Sequence, residues 1–181
     1  HEATVESLEQ IVAQRATGDR GQAARAAEML EAVYLARLDW RKVMGAVEAR
    51  LEGSQDPEER RELLRRLAKL HEEQEENYRA ALDTMAKLLA EDVADESTWS
   101  ELERLARVAS AEDRLAEIYA GELEKVAADE PATARLAYRT GELFEAQNTN
   151  RALQFFRRAY QFAPEDQQRA FQAIDRILSA A

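Results

Sequence analysis

Residues 151–166 read RALQFFRRAYQFAPED, and the spacing inside this stretch decides the fold. Ala152, Phe156, Ala159 and Pro164 follow one another at steps of four, three and five. Steps of four and three return to one face of a helix. Two small residues and an aromatic on that face predict a helix pressed closely against another. Pro164 then ends it, because proline lacks a donor and disfavours helix in the residue before it. The stretch is a packing device, and any chemistry has to be sought elsewhere.

The whole chain has the same character. Of its 181 residues 45% are hydrophobic and 34% charged, which predicts a folded, water-compatible protein. Ala, Glu, Leu and Arg dominate, with only 6 Gly and 3 Pro, a mixture that favours helix. The net charge of −11 repels phosphate backbones and anionic bilayers, so neither nucleic acid nor membrane is an expected partner. No apolar run approaches the ~18 residues that span a bilayer. The absence of cysteine excludes disulfides, thiolate catalysis and cysteine-ligated zinc, and fits a cytoplasmic location. The chain opens on His1, inside a helical pattern, as expected of a segment of a longer protein or of a tag remnant.

Turn signals recur at short intervals: TGDRG (17–21), EGSQDPEE (52–59), a break at 75–77, EDVADEST (91–98), VASAED (108–113), DEP (129–131), AQNTN (146–150) and APED (163–166). Between them lie about ten helical patterns and no convincing strand. Asp56-Pro57-Glu58-Glu59 combines a capping carboxylate, a first-turn proline and acids at the positive helix end. The segments 95–98 and 129–131 offer similar starts.

The patterns repeat. Ala27, Leu30, Glu31 and Tyr34 share their spacing with Trp99, Leu102, Glu103 and Ala106, 72 residues later, and with Phe171, Ile174, Asp175 and Leu178 after 72 more. Val43, Val47 and Leu51 map likewise onto Leu115, Tyr119 and Leu123. A second helix pair sits inside each interval. Ala68, Leu70 and His71, then Ala81, Met85 and Leu88, match Gly141, Leu143 and Phe144, then Ala152, Phe156 and Ala159. The underlying period is therefore about 36 residues, one helix hairpin.

Hairpins of this length, with Thr140-Gly141, Phe144, Ala152, Phe156, Ala159 and Pro164 in one copy and Trp99, Leu102 and Tyr119 in another, resemble tetratricopeptide repeats. Trp40 falls where such repeats often open their second helix. Glu31 and Glu103 depart from the pattern, standing at its usual small-residue position. The resemblance implies an all-α superhelix, a solenoid of hairpins, running as one array over residues 1–181. Its parts are a partial unit at 1–20, units at 21–55, 56–93, 94–129 and 130–164, and a terminal capping helix at 165–181. It also implies a non-catalytic scaffold for protein–protein binding. The Ala/Arg/Glu/Leu-rich style is similar to long bacterial arrays that serve motility, polarity or secretion, some by docking a small GTPase. Self-assembly through the repeat ends is the alternative use.

Catalytic and metal motifs fail on inspection. His71-Glu72 begins an HExxH pattern, but position 75 is glutamate and His1 is the other histidine. The run HEEQEEN (71–77) has no DxDxDG loop and reads as a solvated helix end. Glu142 and Glu145 share a face, yet nothing marks a dry cleft that would raise a carboxyl pKa. There is no phosphate loop and no GxSxG. No catalytic residue, cofactor or metal site is expected.

In the family the first helices of the hairpins line a groove. On this mapping the groove receives Arg65, Lys69, Arg104, Arg107, Arg135 and Tyr138, together with Arg25, Glu28, Leu35, Glu62, Ser100 and Glu142. The bases form a cationic stripe in an acidic chain, and an acidic protein segment is the partner expected for it. Lys69 with Glu73, and Glu103 with Arg107, are spaced to pair on their own helices. The positions with which chaperone-binding members grip a C-terminal carboxylate hold Glu28, Ala32, Arg66, Ser97 and Glu101 here, so that activity is not implied.

Overall fold

The computed structural model describes residues 2–180, so His1 lies outside the described residues. Among these there are ten α-helices and no strand. They are α1 (Glu2–Ala13), α2 (Arg20–Ala36), α3 (Trp40–Gly53), α4 (Pro57–Glu75), α5 (Tyr78–Glu91), α6 (Glu96–Ala109), α7 (Glu112–Leu123), α8 (Pro131–Glu145), α9 (Thr149–Phe162) and α10 (Gln167–Ser179). The chain forms two compact units, His1–Leu88 and Leu89–Ala181, divided within α5. In the first, α1 packs on α2, α2 on α3 and α3 on α4. In the second, each helix from α6 to α9 packs on the one after it. Successive neighbour packing of this kind is that of an all-α solenoid of helix hairpins.

Local chemistry sets the helix ends. Asp19, Asp39, Asp56, Asp95 and Asn148 each accept a backbone N–H of the first turn that follows. Pro57 and Pro131 occupy first-turn positions where no donor is lost. At α8 the cap position is Glu130 rather than Asp129, and its side chain makes no cap bond. The Thr133 hydroxyl instead donates to the Glu130 carbonyl at 2.9 Å. Arg158 fastens the α7–α8 connection from α9, donating to the carbonyls of Leu123 at 2.7 Å and Ala127 at 2.9 Å. A cation placed there suits the negative end of α7.

The interiors are built by small residues receiving large ones. A Cβ on Gly141 would stand 2.7 Å from the Phe156 ring, so α9 lies against bare backbone of α8. Ala152, Phe156 and Ala159 are fully buried, and Tyr138 tilts against Phe156 at 5.5 Å between ring centres. Phe144 is buried and stacks on the half-buried Phe155 at 5.7 Å. In the first unit Ala27, Leu30, Tyr34, Val43, Val47, Leu63 and Leu67 form the corresponding core. The positions at 27 and 99 are therefore interior, as the repeat requires. The third copy is not: Phe171 is 56% and Leu178 55% exposed, while Ala170, Ala173 and Ile177 are buried instead. The face of α10 that meets α9 is shifted from the spacing-based choice, and Phe171 leans on exposed Tyr160 at 6.2 Å.

Ion pairs join helices within a hairpin and between adjoining ones. Buried Glu31 on α2 accepts from Arg50 of α3 at 2.9 Å and pairs with Arg66 of α4. Glu103 on α6 meets Arg139 on α8, Glu117 on α7 meets Arg151 on α9, and Glu145 on α8 meets Arg176 on α10. The glutamates at the small-residue position thus hold the next hairpin in register. Most of these pairs are half exposed, and such pairs contribute only ~0–1 kcal/mol each. The apolar interlock carries the stability. Phe156→Ala is expected to cost ~3–5 kcal/mol through the cavity it leaves. Urea unfolding followed by circular dichroism measures this, and a cost below about 1 kcal/mol would show that the aromatic does not close the interior.

Candidate functional site

The second unit contains a cleft of about 550 Å³. Helical steps build its walls: Glu96, Trp99, Glu103 and Arg107 recur along one face of α6, and Arg135, Tyr138, Arg139, Glu142 and Leu143 along one face of α8. Glu112 and Leu115 of α7 and Glu165, Asp166 and Arg169 around the start of α10 complete it. Leu143 is the half-buried apolar residue of the lining, and Trp99, Leu115 and Tyr138 are buried in its walls.

Its charges hold one another. Arg135 donates to Glu96 at 2.6 Å and lies 3.5 Å from Glu165. Arg139 donates to Glu103 at 2.6 Å, with its guanidinium 5.5 Å above the Trp99 ring. Arg169 bonds Asp166 at 3.1 Å and covers the Tyr138 ring at 4.5 Å. Among the described residues Arg107 is exposed and forms no ion pair. Burial, reinforced by the Glu142 carboxylate, pushes the Tyr138 phenol upward. Burial and the charge of Glu103 push Tyr119 upward as well, and its hydroxyl donates to the Trp99 carbonyl at 3.2 Å.

Of the six groove residues expected from the sequence, the cleft brings together Arg107, Arg135 and Tyr138. Arg104 lies on α6 outside the lining and donates to Glu101 at 3.0 Å. Arg65 and Lys69 are exposed on α4, in the first unit, where Lys69 stands 3.7 Å from Glu73. Glu103 pairs with Arg139 and not with Arg107. Arg139 reaches it from the next hairpin at good hydrogen-bond distance and stacks on Trp99 at the same time. The cationic stripe is thus embedded in carboxylates. Arg139 and Arg169 were not found by helix-face reasoning within single helices. The usable signal was opposite charge one period apart, since Glu103 and Arg139 are 36 residues apart.

His71 is half-buried and bonds Glu75 at 2.9 Å one turn away. Among the described residues no three acidic or histidine side chains converge as a metal ligand set. None of the described helices is long and apolar enough to cross a membrane.

No family model matches the chain, and no curated protein matches it. Among solved structures the chain is similar to BtubC (BKLC) from P. vanneervenii, with 16% sequence identity and a TM-score of 0.46. That match covers 99% of this chain and 82% of the other.

The buried phenols give the second unit an alkaline limit. Their folded-state pKa values lie above the ordinary 10.0, so the folded form holds these protons more tightly than the unfolded chain does. The stability they contribute is complete below pH about 10 and is lost as the pH rises further. Helix content and phenolate absorbance followed together in an alkaline titration are expected to show Tyr119 ionising only as helix is lost.

Proposed function

We propose that the chain is a tetratricopeptide-type binding module without catalytic activity, and that it holds a protein partner in the cleft of its second unit. One observation carries this reading: an open cleft in which Arg135, Arg139 and Arg169 are already held by carboxylates of its own lining. Groups held in place before binding lose little freedom when a ligand arrives. Arg107, without a carboxylate of its own, is the group left to take one from a partner. Six acids line the cleft against four arginines, so a uniformly acidic segment is a poor match. A segment of mixed charge suits it better, with a carboxylate at Arg107, a cation near Glu112 or Glu142, and an apolar side chain beside half-buried Leu143.

Selection of random displayed peptides on the immobilised protein tests this. The peptides recovered are expected to slow amide exchange in α6 and α8, and Arg107→Glu is expected to weaken them about tenfold without loss of helix. Peptides that protect neither helix, or that are indifferent to Arg107→Glu, would remove the reading.

Exposed Tyr160, Phe171 and Leu178 support a second use, self-association through α9 and α10. Light scattering over a concentration series would favour it if the mass rises with concentration and Phe171→Glu prevents the rise.

A further inference from the structure

The first unit holds a recess of about 300 Å³ among α1, α2 and α3. Its size is at the low end of ligand sites, ~300–1,000 Å³, enough for one apolar side chain. Val12, Leu30, Tyr34 and Ala46 line it, and Arg15, Arg41 and Lys42 surround them with Glu9. Glu9 is committed already: it accepts from Tyr34 at 2.8 Å and from Lys42 at 2.9 Å. Arg15 bonds Glu52 at 3.0 Å. Arg41, exposed, forms no ion pair among the described residues. Three cations against one lining carboxylate is the reverse of the chain's overall balance.

Gly45 makes the recess unusual. A glycine inside a helix weakens it relative to alanine, and a close neighbour ordinarily explains the choice. Gly141 faces the Phe156 ring, and a Cβ on Gly53 would stand 2.4 Å from the Arg20 carbonyl. A Cβ on Gly45 would meet nothing within 4 Å. Packing therefore does not require glycine there, and the position opens onto the recess that it lines. Gly121 has the same open space but lines neither cavity, so the glycine counts here only together with the charges around it.

We propose that this recess is a second docking site, which seats an apolar side chain of a protein partner while a neighbouring carboxylate of the same partner meets Arg41. The site lies wholly within the first unit and does not depend on the cleft in the second.

The probe is a blocked tripeptide with phenylalanine between two aspartates, titrated into the isotope-labelled protein and followed by amide chemical shifts. Shifts are expected in α1 and α3. Replacing both aspartates by asparagine, or the phenylalanine by alanine, should weaken binding about fivefold or more. Gly45→Leu should fill the recess and abolish the shifts with helix content retained. Arg41→Ser, a change at an exposed side chain, should reproduce the loss seen with the asparagine peptide. The shifts in α1 and α3 should be the same in Arg107→Glu, because Arg107 does not line the recess. The proposal is overturned if millimolar peptide shifts no residue of the recess, if the uncharged peptide binds equally, or if Arg41→Ser binds as the parent does. Should Gly45→Leu lose helix, Arg41→Ser and the peptide pair still decide the matter.

Discussion

The close approach of the two helices within a hairpin is the constraint on which the rest depends. At α8 and α9 it comes down to Gly141, which has no side chain where the Phe156 ring lies. Ala152 and Ala159 flank that ring on its own helix, so small residues surround it on both sides of the closest approach. Helices whose facing residues are small can come near enough for a single large side chain to fill the gap between them. Tyr138, packed on Phe156, inherits its position from this contact, and the wall of the cleft inherits its own from Tyr138. Ion pairs between hairpins add little energy beside this interlock.

The two cavities use this scaffold differently. In the cleft, Arg135 and Arg139 are paired across helices and Arg169 with the cap of its own helix, while Arg107 forms no ion pair among the described residues. In the recess the paired groups stand at the mouth and the interior is apolar. Both are lined by an arginine that forms no ion pair among the described residues, Arg107 in one and Arg41 in the other. A partner with a carboxylate next to an apolar group would find the same chemistry in each unit.

Much of the fold was legible in the sequence because helix periodicity and capping residues act locally. Ala152, Phe156 and Ala159 declare their face within three turns, and Asp56-Pro57 declares a helix start within two residues. The reading failed where the answer depends on a neighbour. Phe171 and Leu178 repeat the spacing of Ala27 and Tyr34, but spacing does not say which face another helix will cover. The candidate site was legible to the same extent. Arg107, Arg135 and Tyr138 follow from helix steps, while Arg139 and Arg169 become visible only when side chains a whole hairpin apart are brought together. Arg104 and Lys69 turned out to serve acids on their own helices. The recess left almost no trace, because an isolated glycine within a helix reads as a weak point until the space around it is known.

The succession of neighbour contacts also bears on how such a chain assembles and changes. Each contact between adjoining helices closes a short stretch of polypeptide, so little loop entropy is lost before it forms. Topologies of that kind reach their native state quickly, and order can start at any hairpin and spread to those beside it. Over evolutionary time the same locality lets a gene gain or shed a whole hairpin while the remaining ones keep the partners they already have.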